Sequence, residues 1–307
     1  MTLNWGLTRK RKFLEARAGI IQDIRRFFIE GGYLEIETPL LIPAPAPEAH
    51  IDAIPANKGF LQTSPEICMK RMLAAGFEKL FQLCRCWRNG ERGIIHLPEF
   101  TMLEWYRTGT DYEGLIEDCE SLLLGLSIVS ARKNKIIFRG RTVDLSPPWD
   151  RITVRNAFSR YSDISMEDAI GRGIFDEIMS KDIEPRLGLG KPLFIIDYPA
   201  ERGALARLKS SDETVAERFE LYIGGLELAN AFTELTDASE QRKRFMTELE
   251  FRRSGNKAVY PIPEKFLSEL PAMPQAAGIA MGIDRLIMVL LDAETIDEVV
   301  AFTPEML

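Results

Sequence analysis

The stretch 81–107, FQLCRCWRNGERGIIHLPEFTMLEWYR, constrains this chain most. Two runs rich in aromatic and β-favouring residues, 81–88 and 100–107, flank a polar loop punctuated by Asn89-Gly90 and Pro98, the pattern of a hairpin. Side chains alternate along a strand. Gln82, Cys84, Cys86 and Arg88 therefore share one face of the first run, and Phe100, Met102, Glu104 and Tyr106 one face of the second. If the two faces coincide, one surface carries an arginine, an aromatic ring and a buried-side carboxylate, with His96 at the loop end. A guanidinium holds a phosphate or carboxylate bidentately, and a phenyl ring can stack on a flat base, so the surface reads as a nucleotide floor. The same residues also read as an ordinary hairpin with a core aromatic cluster, and this stretch alone does not separate the two.

The 307 residues are 46% hydrophobic and 28% charged, a globular composition long enough for one large domain or two small ones. No apolar run approaches the ~18 residues of a membrane-spanning helix, and the N-terminus MTLNWGLTRKRKF lacks the apolar core of a secretory signal. A cytoplasmic protein with no membrane contact is expected. The basic cluster Arg9-Lys10-Arg11-Lys12 reads as the solvated start of a helix. Cys68, Cys84, Cys86 and Cys119 read as reduced structural thiols. Cys84 and Cys86 stand two apart on a strand, not at a metal-knuckle spacing, and with only His50 and His96 available a zinc site is not expected. The net charge of −7 gives no electrostatic case for wrapping nucleic acid.

In chain order, Leu14, Ala18, Ile21, Ile24 and Phe28 recur at helical spacing and predict a helix over 11–30, stopped by Gly31-Gly32. An alternating strand over 33–39 ends at Pro39, and a proline-spaced extended loop follows over 42–47. After a short strand at 60–63, Ser64-Pro65-Glu66 starts a helix with a hydroxyl cap, a first-position proline and an early acid, and Gly76 ends it. Residues 112–190 read as a helical insertion, with helices around Leu115 to Leu126 and over 153–161 and 167–180, and no chemical motif. A strand is expected at 191–197.

Residues 215–232 read as a second hairpin about Gly224-Gly225. A two-residue turn pairs Ile223 with Leu226 and Tyr222 with Glu227. Glu220 then shares a face with Glu227, diagonal to it and roughly 7–8 Å away. Two such carboxylates repel unless a cation lies between them, and Mg2+ bridging to phosphates is the natural candidate. Two solvated acids on an exposed face are the other reading. Asn230 and Glu234 continue the polar series, and 241–253 reads as a charged helix. Residues 278–285, GIAMGIDR, read as a strand running into a helix. Arg285 falls in its first turn, where it opposes the helix dipole unless an anion such as phosphate is present, or a surface salt bridge takes it up. Thr295-Ile296-Asp297-Glu298 predicts a capping box opening a last helix. No GxxxxGK[ST] motif and no GxGxxG after a strand occurs, so an ATP site here is neither a P-loop nor a dinucleotide fold. Two histidines leave no credible Ser/His/Asp order.

Three of these segments fall in the order of a known pattern. The run 28–39, ending GGYLEIETP, resembles motif 1 of the class II aminoacyl-tRNA synthetases, 77–106 resembles motif 2, and 278–285 resembles motif 3. TSPEICMKRMLAAGFEKLFQLCRCWRN, HLPEFTMLEWY, FELYIGGLELANAFTEL and GIAMGIDRL are most similar to the lysyl branch, and the resemblance covers nearly the whole chain. Motif 1 begins at Phe28, which leaves no room for the anticodon-binding OB domain that lysyl-tRNA synthetases carry before it. The chain thus resembles the free-standing lysyl-synthetase paralogues that modify elongation factor P, the elongation factor P–lysine ligases.

The resemblance implies an α+β fold: a single class II synthetase catalytic domain over 1–307, an antiparallel sheet flanked by helices, with the helical insertion at 112–190. It implies a homodimer formed through motif 1 and no tRNA anticodon binding. The implied activity is an ATP- and Mg2+-dependent ligase. It activates lysine, preferentially (R)-β-lysine, as its adenylate and transfers the acyl group to a lysine side chain of elongation factor P. Arg88 and Arg285 take the catalytic roles, Arg88 at the α-phosphate and Arg285 at the outer phosphate and the base. Phe100 stacks the adenine, His96 lies by the phosphates, Asn89 and Glu91 complete the ATP set, and Glu220 and Glu227 carry Mg2+. Ser64, Glu66, Glu104, Tyr106, Asn230, Glu234 and Ala280 surround the amino acid, carboxylates matching its ammonium groups. No general base is then needed, because the substrate carboxylate is already a nucleophile.

Ser64 stands where the synthetases tend to have alanine and Ala280 where they have glycine, and both match the ligase-like pattern. The motif 2 loop departs from the family. Gly90 replaces a glutamate that reads the adenine amino group, Ile94-Ile95 an arginine, and Leu97 an asparagine, with Glu91 and Arg92 the candidates to substitute. An adenylate-forming enzyme with another acceptor, and a catalytically impaired paralogue kept as a binding or regulatory protein, are the alternatives.

Overall fold

The computed structural model describes residues 5–307, with Trp5 described in its backbone only. Helix α1 (Trp5–Glu30) leads to four short strands, β1 (Leu34–Glu35), β2 (Leu41–Ile42), β3 (Pro55–Ala56) and β4 (Gly59–Leu61). Helix α2 (Glu66–Ala74) precedes the first long hairpin, β5 (Lys79–Trp87) and β6 (Glu99–Thr108). Helices α3 (Tyr112–Gly125) and α4 (Ser127–Ala131) follow, then β7 (Lys135–Phe138), β8 (Arg141–Asp144) and β9 (Asp150–Thr153). Three short helices, α5 (Val154–Tyr161), α6 (Met166–Gly171) and α7 (Phe175–Ile178), lead to β10 (Leu193–Pro199) and β11 (Leu208–Lys209). The second long hairpin is β12 (Asp212–Ile223) and β13 (Leu226–Thr233), and the chain closes through α8 (Ala238–Ser254), α9 (Glu264–Glu269), β14 (Ala276–Gly282) and α10 (Ile283–Leu291).

Nine strands form one sheet in the order β1-β5-β6-β14-β13-β12-β10-β9, with β11 on β12. Its central strands are antiparallel, and only the edge pairs β1–β5 and β10–β9 are parallel. Alternation sorts the two faces. Leu103 and Trp105 of β6, Ile279 and Met281 of β14, Ala229 and Ala231 of β13, and Phe219 and Leu221 of β12 all enter one core, with Ile20, Ile24 and Phe28 of α1, α3 and α10. Phe28 stacks on Phe81 at 4.9 Å between ring centroids, with Trp105 at 5.1 Å. The opposite face of the same strands carries Glu104, Tyr106, Asn230, Arg218 and Glu220, and is free to bind.

Both hairpins form, and the faces of the first coincide: Cys86 pairs Phe100, Cys84 pairs Met102, and Gln82 pairs Glu104. At the second turn Gly224 and Gly225 both have positive φ, 62° and 78°. This is the mirror-image turn that matches strand twist and that only glycine adopts without strain. Ile223 pairs Leu226 and Tyr222 pairs Glu227 as the turn dictates, but a bulge between Leu221 and Tyr222 then shifts the register so that Glu220 faces Asn230.

Several expectations need correction. Of 33–39 only Leu34 and Glu35 pair as a strand, alongside Leu80 and Phe81. The Ile36 N–H still bonds to Phe81 O at 3.0 Å, and Pro39, three residues on, has no donor to offer the ladder. Helix α2 starts at Glu66 with Pro65 at its cap, and the Ser64 hydroxyl accepts from the Glu66 N–H at 3.0 Å. The block 112–190 is not helical throughout. Leu115, Ile116, Cys119, Leu122 and Leu123 of α3 are fully buried in the main core, β7 and β8 form a hairpin, and β9 joins the main sheet beside β10. A separate core, from Val154 to Leu187, lies under Ile195, Tyr198 and Tyr222. The helix expected at 167–180 breaks at Gly173, whose φ is +67°. Thr295 makes no side-chain cap and opens only a 3-10 turn, Ile296–Val299, because the Glu298 carboxylate accepts instead from the Glu294 N–H.

Candidate active site

Register aligns one row of side chains across five strands: Gln82, Glu104, Ala280, Asn230 and Glu220, each directly opposite the next. Directly opposite residues on one face stand about 4.5–5.5 Å apart, so the row is a continuous polar floor. A second row runs Leu80, Tyr106, Gly278 and Phe232, with Arg218 opposite Phe232. Above them lies a cavity of about 370 Å³ whose lining includes Ser64, Glu66, Arg88, Glu91, His96 and Arg285. Gly278 is glycine because Tyr106 lies across it: an added Cβ would sit 2.1 Å from Tyr106 Cε1.

One end of the cavity is built for cations. The Ser64 hydroxyl donates to Glu104 Oε1 at 2.6 Å and the Tyr106 hydroxyl to Glu104 Oε2 at 2.7 Å. Burial, then the charge of Glu66, pushes the Glu104 carboxyl up to about 8. The Lys70 ammonium, 1% exposed, lies 2.5 Å from both Glu66 and Glu234. Burial pulls Lys70 down, but the two carboxylates outweigh it and its pKa rises. Three carboxyl groups thus share one buried ammonium, and burial pushes Glu234 as well as Glu104 up to about 8, so this end holds protons that bound cations would displace.

The middle and far end are built for anions and a flat ring. The Arg88 guanidinium lies 5.1 Å from the Phe100 ring centroid. Arg285 donates to Glu227 O at 2.9 Å and to its carboxylate at 3.2 Å, and lies 2.5 Å from His96 Nε2. Burial and then the Arg285 charge lower the His96 pKa, so a neutral imidazole accepts from the guanidinium. Glu220 accepts from Tyr198 at 2.5 Å, from Tyr222 at 2.8 Å and from Arg218 at 2.7 Å. Burial and then Glu227 raise its pKa, the mark of carboxylates crowded by like charge. Among the described residues no three His, Cys, Asp or Glu side chains are grouped to hold an ion by themselves. Two carboxylates fit Mg2+, which takes one or two from the protein and the rest from phosphates and water.

Most of the residues expected at a site line this cavity together: Ser64, Glu66, Arg88, Glu91, His96, Phe100, Glu104, Tyr106, Glu220, Glu227, Asn230, Ala280 and Arg285. Two do not. Asn89 is exposed, its N–H bonded to Asp52 O at 2.6 Å. Glu234, 2% exposed, lies behind the wall on Lys70. Arg92 does not substitute for the loop arginine, for it turns away to Asp297 and Glu305 at 2.9 and 2.8 Å. Arg218 and Glu48 line the cavity, Lys70 backs it behind Glu66, and all three escaped the sequence reading. Arg218 stands two residues before Glu220 on β12 and Lys70 four after Glu66 on α2, so alternation and helical spacing could have found both.

An antiparallel sheet with Phe100 and a row of carboxylates on one face, reached by Arg88 from the loop after β5 and by Arg285 from the first turn of α10, is the architecture of a class II aminoacyl-tRNA synthetase catalytic domain. The family described as tRNA synthetases class II (D, K and N) matches residues 3–306. Curated relatives include the elongation factor P–(R)-β-lysine ligases of Histophilus somni strain 2336, 40% identical over 98% of both chains, and of Salmonella gallinarum, 38% identical over 98% of both. That of Proteus mirabilis is 39% identical over 93% of both. The chain belongs to the class II synthetase family and, within it, to the elongation factor P–(R)-β-lysine ligases.

Proposed function

We propose that this enzyme condenses (R)-β-lysine with ATP to an enzyme-bound adenylate and transfers the acyl group to a lysine side chain of elongation factor P. The observation that carries this is the charge arrangement along the cavity. Glu66, Glu104 and Glu234 share a single ammonium, Lys70, at one end, so a diamino acid's two ammonium groups would draw the protons off the raised pair Glu104 and Glu234, and Arg88 and Arg285 lie beyond them, for phosphates. Glu66, Glu104 and Asn230 orient the amino acid with its carboxylate toward Arg88. Phe100 and Arg285 sandwich the adenine, and Glu91 reads its edge in place of the residue at Gly90. The substrate carboxylate attacks the α-phosphorus and pyrophosphate leaves. Arg88 stabilises the charge that develops there, and His96 holds Arg285 against the outer phosphate. Mg2+, held by Glu220 and Glu227, would neutralise the β- and γ-phosphates.

ATP–pyrophosphate exchange with (R)-β-lysine, L-lysine or no amino acid tests this directly. Exchange strongest with (R)-β-lysine is expected. Folded protein that binds ATP yet exchanges with no isomer would leave a binding protein in place of a ligase.

We also infer a homodimer through the motif 1 region. Ile29, Leu34, Leu40 and Leu41 are 45–58% exposed, and Phe77, just before β5, is 42% exposed, an apolar set a partner would cover. Sedimentation should give twice the 34.8 kDa chain mass. A monomer would overturn it.

A further inference from the structure

Acyl transfer makes a demand that adenylate formation does not. The acceptor is a lysine ammonium, which has no lone pair until it loses a proton. A second cavity, of about 590 Å³, adjoins the first and shares with it Glu48, His50, Ile51, Ala204, Leu205 and Arg218. It extends from that shared wall to α8, reaching Lys243, Arg244 and Thr247. We propose that the acceptor ammonium reaches the adenylate through this second cavity, and that Glu48, on the wall between the two, takes its first proton. This assignment rests on the ligase function proposed above.

The position of Glu48 is fixed from outside the site. Arg252, fully buried, donates through one nitrogen to Glu48 O at 2.8 Å and Ile51 O at 2.9 Å, and the Ala49 N–H donates to Glu248 at 2.6 Å. Half-buried Glu48 lines the first cavity with Glu66 of α2, Arg88 beyond β5 and Arg218 of β12, and the second with Arg218 and Glu248 of α8. Glu66 marks the amine end of the amino acid and Arg88 its carboxylate, so a group that lines their cavity on the wall shared with the second lies on the acceptor's way to the acyl carbon. Burial, then Glu66, raise its pKa to about 7; Glu248 adds to this, and Arg88 and Arg218 oppose it. A base of that strength is ionised often enough to accept a proton near neutral pH.

The step balances without another reactant. The ammonium gives one proton to Glu48. The freed nitrogen pair forms the C–N bond to the acyl carbon, the C–O bond to phosphate breaks with its electrons going to AMP, and the second nitrogen proton leaves with the AMP phosphate. A base at Glu48 departs from the expectation that no general base is needed.

The test is single-turnover transfer from preformed enzyme-bound (R)-β-lysyl-adenylate to elongation factor P, measured from pH 6 to 9. The wild-type rate should rise through an ionisation near 7. Glu48→Gln should lose that inflection and slow transfer on the order of 100-fold, and Glu48→Asp should restore the inflection in part. Thermal unfolding with ATP present checks that each variant folds. Glu48→Gln transferring at the wild-type rate with the wild-type pH profile would overturn the assignment, as would a slowed but unshifted profile in both variants. A wild-type protein that forms no adenylate would instead bring down the ligase function, and this assignment with it.

Discussion

At the scale of single residues, the site depends on what is missing as much as on what is present. Gly278 has no side chain, and the Tyr106 ring lies in the space one would take, with Glu234 Oε1 only 2.5 Å from an added Cβ. Gly278→Ala must push Tyr106 off Glu104. It should cost about 1–3 kcal/mol in urea unfolding and abolish lysine-dependent exchange, while ATP binding by calorimetry survives. Unchanged exchange would show that the Tyr106–Glu104 bond does not shape the amine end. Ala280 is the same device one step milder. A single methyl sits in the row between Glu104 and Asn230, where any larger residue would fill the floor.

At the scale of elements, the second hairpin sets the distance between the two candidate metal-binding carboxylates. Gly224 holds a φ of +62° with Phe138 Cδ1 only 2.4 Å from an added Cβ. Gly224→Ala should lower stability by roughly 2 kcal/mol or more and raise the Mg2+ concentration needed for half-maximal exchange, because Glu227 lies three residues on. An unaltered urea midpoint would refute this. The turn was legible in the sequence because only glycine pairs adopt it cheaply, and period-two alternation put Arg88 on one face of its run and Phe100 and Glu104 on one face of theirs, but that the two faces coincide needed the register. The bulge at Leu221/Tyr222 was not legible, since no glycine or proline marks it in the sequence. Strand β9 escaped notice because the proline-rich run before it reads as linker, and only its neighbour β10 makes it a strand. Glu48 follows a proline tract that has no apolar periodicity to orient it, and the residue that fixes it, Arg252, lies some two hundred positions away.

At the scale of the whole molecule, the cavity charges should govern stability. Glu104 and Glu234 are pushed to about 8 by burial in the folded chain and revert to the ordinary carboxylate range near 4.5 on unfolding. Between those values the folded chain binds more protons than the unfolded one, so stability falls as pH rises. Without ligands the urea unfolding free energy should drop by at least about 2 kcal/mol from pH 6 to pH 8, and saturating ATP and (R)-β-lysine should remove most of that slope. A flat profile without ligands would show that both carboxylates are already ionised beside Lys70.

Strand β14 lies in the middle of the sheet, between β6 and β13, although it comes almost last in the chain. A ribosome that has released everything up to α9 has made both long hairpins and both candidate Mg2+ carboxylates. It has not made the strand that joins the hairpins, nor Arg285. Until that moment two unpaired sheet edges stand open to water, to chaperones and to each other. The enzyme cannot be assembled piecemeal during synthesis. A premature stop between residues 233 and 276 should yield an aggregation-prone fragment instead of a weaker enzyme.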